Sequence, residues 1–409
     1  MAITINAKTS GAGGLETTAD NTGNINIQSG GSTVMSVTSS GVAITGALSQ
    51  NGGAYSTQPT FRNRIINGDM RIAQRGTSFS NPTGGLYTLD RWYIRTQNAS
   101  VVSTITQSTT APTGFINSFY LSIGTGAASG STDRAQLYHG MEGLNVSDFG
   151  WGTANAKTVT LSFWVRSSLT GQFGGAIQNS AGNRSYPFTY TISSANTWEQ
   201  KTVTVAGDTT GTWTTDNGLG VQLNFDLGAG SSFLTTAGSW AAGDYRGATG
   251  DTSIVATTGA TWYITGIQLE VASTATDFEF LPYDVELARC QRYYYKSMQG
   301  TPANNIPTSD FLSSSGYNGY TMFTNTEGRS EYFQHPVQMR ASPTVTIYSS
   351  NRANTAGKLA ILIGSWVATT VSTPVADFNR LAFEITSPTS GVSGYSYLMA
   401  GGFDASAEL

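Results

Sequence analysis

Apolar and polar residues alternate in short runs along this chain, and each run ends at a cluster of Gly, Ser, Thr, Asn or Asp. In TVTLSFWVRSS, Val159, Leu161, Phe163 and Val165 fall on one parity, and Thr160, Ser162, Trp164 and Arg166 on the other. A period of two belongs to a strand with one face in a core. The same pattern predicts strands at Arg62–Met70, Arg91–Thr96, Val101–Gln107, Phe119–Ile123, Ala135–Gly140, Lys157–Ser167, Tyr186–Ile192, Glu199–Val205, Leu219–Leu227 and Thr261–Val271. About ten strands with turns between them predict a jelly-roll β-sandwich over 61–282. A second group is predicted at Gly319–Thr324, Ser330–Phe333, Thr344–Tyr348, Leu359–Val367, Arg380–Ile385 and Gly394–Gly402. It makes a C-terminal β-sandwich-like tip over 299–409. Between the groups, YDVELARCQRYYYKSM fits a short bridging helix over 283–298, with Val285, Leu287 and Ala288 on one side.

Residues 1–60 differ. Their apolar pairs are isolated: Ile3 and Ile5, Ile25 and Ile27, Met35 and Val37, Val42 and Ile44. Strands this short bury one face only and make no core alone. The segment covers that face by intertwining with identical copies or by docking on a partner, or else it is a flexible Gly/Ser linker. The predicted architecture is all-β: an N-terminal short-stranded oligomerisation or attachment segment, a jelly roll, a bridging helix and a β tip.

Composition changes the picture by what it removes. Charged residues make up 11% of the chain, against about 25% in an average domain, while 39% are hydrophobic. Few Lys and Glu means few strong helix formers. The net charge is −4 with no dense Lys/Arg run, so nucleic acid is not an expected partner. No apolar run reaches the ~18–20 residues of a membrane helix, and MAITINAKTS lacks the pattern of a secretory leader. Membrane insertion is therefore not expected. The lone Cys290 cannot pair within the chain and is expected as a small buried residue.

Catalytic patterns are missing too. There is no G-x-S-x-G elbow and no GxxxxGK loop. The only histidines are His139 and His335, which argues against zinc. A glycosidase needs two carboxylates about 5–10 Å apart. The densest acidic stretch, Asp277, Glu279, Asp284 and Glu286, is read first as caps and surface charge. The expectation is a non-enzymatic chain with no cofactor and no metal.

Longer strings carry a resemblance. FRNRIINGDMRIAQRGTSF at 61–79, LDRW at 89–92, SFWVRSS at 162–168 and TWEQKTVTVAGDTTGTW at 197–213 resemble a domain common in tail fibres of bacteriophages. So do TWYITGIQLEVASTATDFEFLPYDVELARCQRYYYK at 261–296, HPVQMRASPTVTIYS at 335–349 and the ending FDASAEL. The resemblance covers about residues 61–409. DNTGNINIQSGGSTVMSVTSSGVAITGAL is similar to shaft-like leaders of marine and cyanobacterial phage fibres.

The resemblance implies a homotrimeric receptor-binding protein of the virion. It would attach to phage tail or baseplate proteins through residues 1–60, be made in the host cytoplasm, and adsorb to host surface polysaccharide such as lipopolysaccharide or a capsule-like polymer. NGDM…W with a late WYITGIQLEV is also similar to jelly-roll carbohydrate-binding modules, whose last strand often carries a paired Asp for a structural calcium. Thr265 and Gly266 stand near that place here, so calcium is not carried over. Three alternatives remain: a tail-associated depolymerase, a purely structural virion or baseplate component, and a module of a secreted enzyme complex.

Most aromatics belong in a core, and Trp92, Trp164, Trp198 and Trp262 are expected there. Loop aromatics are the candidates for recognition. Trp151 lies in FGWGTAN. Trp240, Asp244, Tyr245 and Arg246 lie in SSFLTTAGSWAAGDYRGATGD. Tyr317 and Tyr320 lie in SSSGYNGY. Flat rings stack on sugars, and Asp244 and Arg246 suit sugar hydroxyls. The plainer alternatives are plugs over the sandwich edge, a trimer contact, or a simple turn.

Overall fold

The alternating run at 159–167 forms the strand Val159–Ser167, and Val159, Leu161, Phe163 and Val165 are fully buried. The computed structural model describes residues 3–7, 15–19, 25–29, 32–38, 41–44, 49–50, 53–54, 60–81, 84–297, 318–322, 327–330, 333–349, 358–363, 365–376, 379–386 and 396–409. The protein is all-β, and the chain divides into two units, 1–60 and 61–409.

In the first unit, five strands pair in the order Leu15–Ala19, Ile3–Ala7, Ile25–Ser29, Ser32–Thr38, Gly41–Ile44. Ile3 stands opposite Ile25 and Ile5 opposite Ile27. Ile25 stands opposite Val37, Ile27 opposite Met35, Met35 opposite Ile44 and Val37 opposite Val42. Ile27, Met35 and Val37 therefore share one face of the sheet. Asn26 and Ser36 share the other, where Ser36 Oγ donates to Asn26 Oδ1 at 2.5 Å. Ile27, Met35 and Val37 are only half-buried.

The second unit opens with the jelly-roll sandwich. One sheet runs Ala241–Ala242, Arg184–Ile192, Gly171–Asn179, Leu219–Asp226, Ala135–Glu142, Trp92–Thr96, Leu86–Tyr87. The other runs Glu199–Val205, Val159–Ser167, Thr261–Glu270, Ser118–Thr125, Val102–Ser108, Ser78–Ser80. The chain crosses repeatedly between the sheets, and aromatics fill the space between them. Phe163 meets Phe225 edge-on at 5.1 Å, and Phe119 meets Trp262 at 6.4 Å. Trp92 and Trp262 are fully buried as expected. Trp164 and Trp198 are only half-buried, because Trp164 shares the outward parity of its strand and Trp198 precedes Glu199–Val205.

Several elements differ from expectation. The predicted strand Leu359–Val367 is instead the hairpin of Lys358–Ile363 and Ser365–Ala376, and Ser330–Phe333 straddles the separate strands Glu327–Ser330 and Phe333–Gln334. Arg62–Met70 is not a strand. The chain turns back at Asn67 (φ 58°) and Met70 (φ 60°), and side chains replace a ladder. Asn63 Oδ1 accepts from the Ile65 and Leu269 amides at 3.0 and 3.1 Å. Asn67 Nδ2 donates to the carbonyls of Ile72 and Asp90 at 2.9 and 3.0 Å. The helix is also shorter than predicted, Tyr283–Gln291, and its buried residues are Glu286 and Cys290 rather than an apolar stripe. Tyr294–Lys296 instead pairs with Ser396–Ser406.

In the C-terminal sheet, Ser396–Ser406, Asn318–Met322, Glu327–Ser330, Arg380–Thr386, Ser365–Ala376 and Lys358–Ile363 follow in order. Lys358–Ile363 then pairs back with Ser396–Ser406, so the sheet closes on itself.

A polar joint ties these parts together. Arg91 is 1% exposed and ion-pairs with Glu408, which also accepts from Arg75 at 3.0 Å. Arg91 Nη2 donates to the Gly140 carbonyl at 2.5 Å, and its guanidinium sits 3.6 Å from the centre of the Tyr293 ring. Glu142 accepts from Arg292 at 2.6 and 2.9 Å and from the Tyr293 hydroxyl at 2.8 Å. Glu279 accepts from the Phe61 and Asn63 amides, at 2.6 and 2.9 Å. The acidic stretch at 277–286 thus includes carboxylates that anchor the start of the sandwich.

Candidate functional site

The seven-stranded sheet has one face in the core and one outside. Its register sets three outer rows. The first crosses the sheet as Tyr87, Tyr93, Tyr138, Asn224, Ala176 and Pro187, each opposite the next. The second is Gly140, Gln222, Gln178 and Ser185. The third is Arg95, Gln136 and Asp226.

The tyrosines form a continuous strip. Tyr87 and Tyr93 have centroids 5.0 Å apart at 72°, and Tyr93 and Tyr138 4.8 Å apart at 40°. All three are half-buried, which leaves ring surface beside the amides.

Asn224 organises those amides. Its Oδ1 accepts from Gln136, Gln222 and Arg246 at 3.0, 3.0 and 3.2 Å. Its Nδ2 donates to Gln178 Oε1 at 2.9 Å. Gln178 Nε2 in turn donates to Ser185 Oγ at 2.9 Å and Asp244 Oδ1 at 3.1 Å. Gln136 Oε1 is buried with no hydrogen-bond partner. Such a linked set is rigid, and an unmet acceptor within it is costly unless something else meets it.

The segment 243–248 covers one end of this face. A Cβ on Gly247 would lie 2.6 Å from Asp226 Oδ2, so only glycine lets the backbone approach this closely. Asp226 Oδ1 accepts from the Gly228 and Ala229 amides at 2.8 and 2.7 Å. Burial pushes its carboxyl up to about 7, against the pull of those two amides. Asp244 bridges Arg134 at 2.7 Å and Arg246 at 2.6 Å.

The loop candidates therefore separate. Asp244 and Arg246 join the outer face. Tyr245 is half-buried beside them, its amide donating to Ser185 Oγ at 3.1 Å. Trp240 and Trp151 lie at the sandwich edge, packed with Trp213 at centroid distances of 4.7 to 5.4 Å. Trp151 is 7% exposed and donates to the Lys157 carbonyl at 2.8 Å, and Trp240 to that of Ala206 at 2.8 Å. Rings and N–H groups committed this way seal the edge between the sheets. Tyr317 lies outside the described residues. Tyr320 lies in the strand Asn318–Met322, opposite Ser330 and Tyr397, and its side chain is likewise outside them.

Sequence reasoning over loops missed Tyr87, Tyr93, Tyr138, Arg95, Gln136, Gln222 and Asn224. The signal was present in the outward parity of WYIRT, AQLYHG and LGVQLNFD, which reads Tyr-Arg, Gln-Tyr and Gln-Asn. Among the described residues, no group of three or more His, Cys, Asp or Glu is placed to hold a metal. Thr265, near the place considered for calcium, is buried and donates to the Asn117 carbonyl at 2.8 Å.

No protein-family model and no curated protein matches this chain. Solved structures do match in part. The enzymatically active domain of tailspike protein 4 from bacteriophage CBA120 is 12% identical, with a TM-score of 0.27, over 52% of this chain and 22% of that one. A proposed sugar-binding protein from Bacteroides thetaiotaomicron is 14% identical, with a TM-score of 0.32, over 51% of this chain and 100% of that one. The carbohydrate-binding module TmCBM61, solved with β-1,4-galactotriose, is 9% identical, with a TM-score of 0.27, over 52% of this chain and 99% of that one. Likeness at this level carries no residue role from those proteins onto this chain.

Proposed function

We propose that this chain is a bacteriophage tail-fibre receptor-binding protein of the virion, and that it adsorbs to host surface glycan through the outer face of its seven-stranded sheet. The observation that carries glycan binding is the strip Tyr87–Tyr93–Tyr138 running into the amides of Asn224, Gln136 and Gln222. Rings stack on the C–H faces of sugars, and the half-buried Gln222 amide can meet hydroxyls, held in place by the buried Asn224. A preorganised face of this kind gives specificity without ordering cost. The phage assignment rests on the fibre-like strings at 61–79, 261–296 and 335–349. Tyr138→Ala is expected to weaken glycan binding about tenfold or more, as for an aromatic anchor at the centre of a site. Polysaccharide arrays read with the full chain test this, and a Y138A chain that binds as the native one does would overturn the site.

The chain acts by binding rather than cleaving, as a homotrimer joined to the tail through residues 1–60. Support for assembly comes from the one-sided apolar sheet of the first unit. Three copies give avidity from weak contacts. Light scattering is expected to return three times 43.1 kDa. Ile27→Glu with Met35→Glu is expected to return one copy, and a native chain that runs as a monomer contradicts the assembly. Incubation with a bound polysaccharide is expected to release no reducing ends.

A further inference from the structure

Charge on the outer face is unbalanced, which bears on which glycan it takes and rests on the glycan-binding reading above. Three guanidinium groups border the tyrosines. Arg95 stands opposite Gln136, Arg134 immediately precedes the strand Ala135–Glu142, and Arg246 descends from the covering segment. Asp244 serves two of them, Arg134 and Arg246. Asp226 is 3% exposed beneath Gly247, and burial favours its neutral form. Arg95 is half-buried, and among the described residues no carboxylate pairs with it. Its Nε is buried with no hydrogen-bond partner, as are those of Arg134 and Arg246. The chain as a whole is negative, at −4, so this excess of cations is local.

A half-buried guanidinium with no carboxylate beside it gains from pairing with an anion. Its planar fork matches a carboxylate or phosphate with two parallel hydrogen bonds. We propose that the glycan bound here is acidic: Arg95 holds a carboxylate or phosphate group on the sugar whose ring lies on Tyr93 and Tyr138, with Arg134, itself paired with Asp244, adding positive charge on the same face. Tyrosine strip and guanidinium row are adjacent, since Tyr93 and Arg95 are two residues apart on one strand and face the same way.

The test uses the full chain on an array of bacterial surface polysaccharides. Each is printed in native form, after carboxyl reduction, and after dephosphorylation with hydrofluoric acid. Binding is expected on acidic members and is expected to fall about tenfold when the acid group is removed. Loss on carboxyl reduction identifies a uronate-type sugar, and loss on dephosphorylation a phosphosugar. Arg95→Gln is expected to reproduce that loss on the native forms and to add nothing on the treated ones, with Arg95→Lys between. Binding to native and treated forms alike, or an R95Q chain equal to the native one, overturns the proposal. Tyr138→Ala separates the two readings. If it abolishes binding while R95Q changes nothing, the face binds a neutral glycan. If no polysaccharide is bound in any form, both readings fall.

Discussion

Arg91→Ala is expected to lower the unfolding free energy by about 4–5 kcal/mol, through a lower urea midpoint at unchanged slope. Three contacts are lost together. Glu408 keeps only Arg75, at 3.0 Å, for its buried carboxylate. The Gly140 carbonyl loses a donor at 2.5 Å. The Tyr293 ring loses the cation 3.6 Å from its centre. Breaking a buried pair from one side is the costly way, because the remaining charge stays desolvated. The left-handed backbone of Arg91, φ 72°, costs alanine as much as arginine and so leaves the difference to the side chain. Arg91→Lys keeps the charge but cannot serve Glu408 and Gly140 in one planar fork, so an intermediate loss of about 2 kcal/mol is expected. An R91A chain with the native midpoint would show that the joint does not hold the two parts of the second unit together.

Asp226→Asn is expected to flatten the pH dependence of stability between about pH 4 and pH 7. Asp226 is fully buried, and its folded-state carboxyl holds its proton up to about pH 7, against 3.8 as the ordinary value. Between those limits the folded chain binds more protons than the unfolded one. Stability therefore falls as pH rises through that window and levels off above it. The span corresponds to up to about 4 kcal/mol. Burial also raises Asp251, Asp69 and Asp90, so their contributions share this sign and persist in the variant. Asparagine can still accept from the Gly228 and Ala229 amides, and it carries no charge to desolvate. D226N should therefore exceed the native chain at pH 8 and nearly match it at pH 4. Urea midpoints at the two pH values decide this. A native-like slope in the variant assigns the titration elsewhere.

Strands with clear alternation were legible to within one or two residues, Glu199–Val205 to the residue. Two kinds of segment were not. Gly171–Asn179, GQFGGAIQN, lacks β-branched residues at most positions, and no strand is predicted there. Its glycines are required by close neighbours, since a Cβ on Gly175 would lie 2.1 Å from the Asn224 carbonyl. Arg62–Met70 has the composition of a strand, yet asparagine side chains take the backbone's bonds and let it reverse. Long-range partners such as Leu269 for Asn63 leave no trace in local pattern. The same limit applied to the site. Asp244 and Arg246 were reachable because they stand in a long polar loop. The tyrosine strip needs strand order, because Tyr87, Tyr93 and Tyr138 become neighbours only once three strands pair. Trp151 and Trp240 attracted notice as aromatics among glycines, and the glycines prove to permit tight turns around a packed edge.

The polar joint also has a mechanical meaning. The chain enters the C-terminal sheets through Tyr294–Lys296 and returns through Ser396–Ser406, and these two strands pair side by side, Tyr294 opposite Ser406. Immediately beyond, Glu408 is gripped by Arg75 and Arg91, and Arg340 donates to the Ala407 and Glu408 carbonyls at 2.7 and 2.9 Å. A pull on the C-terminal sheets therefore loads both connections at one place. Antiparallel strands and ion pairs share that load in shear, whereas a single linker would stretch.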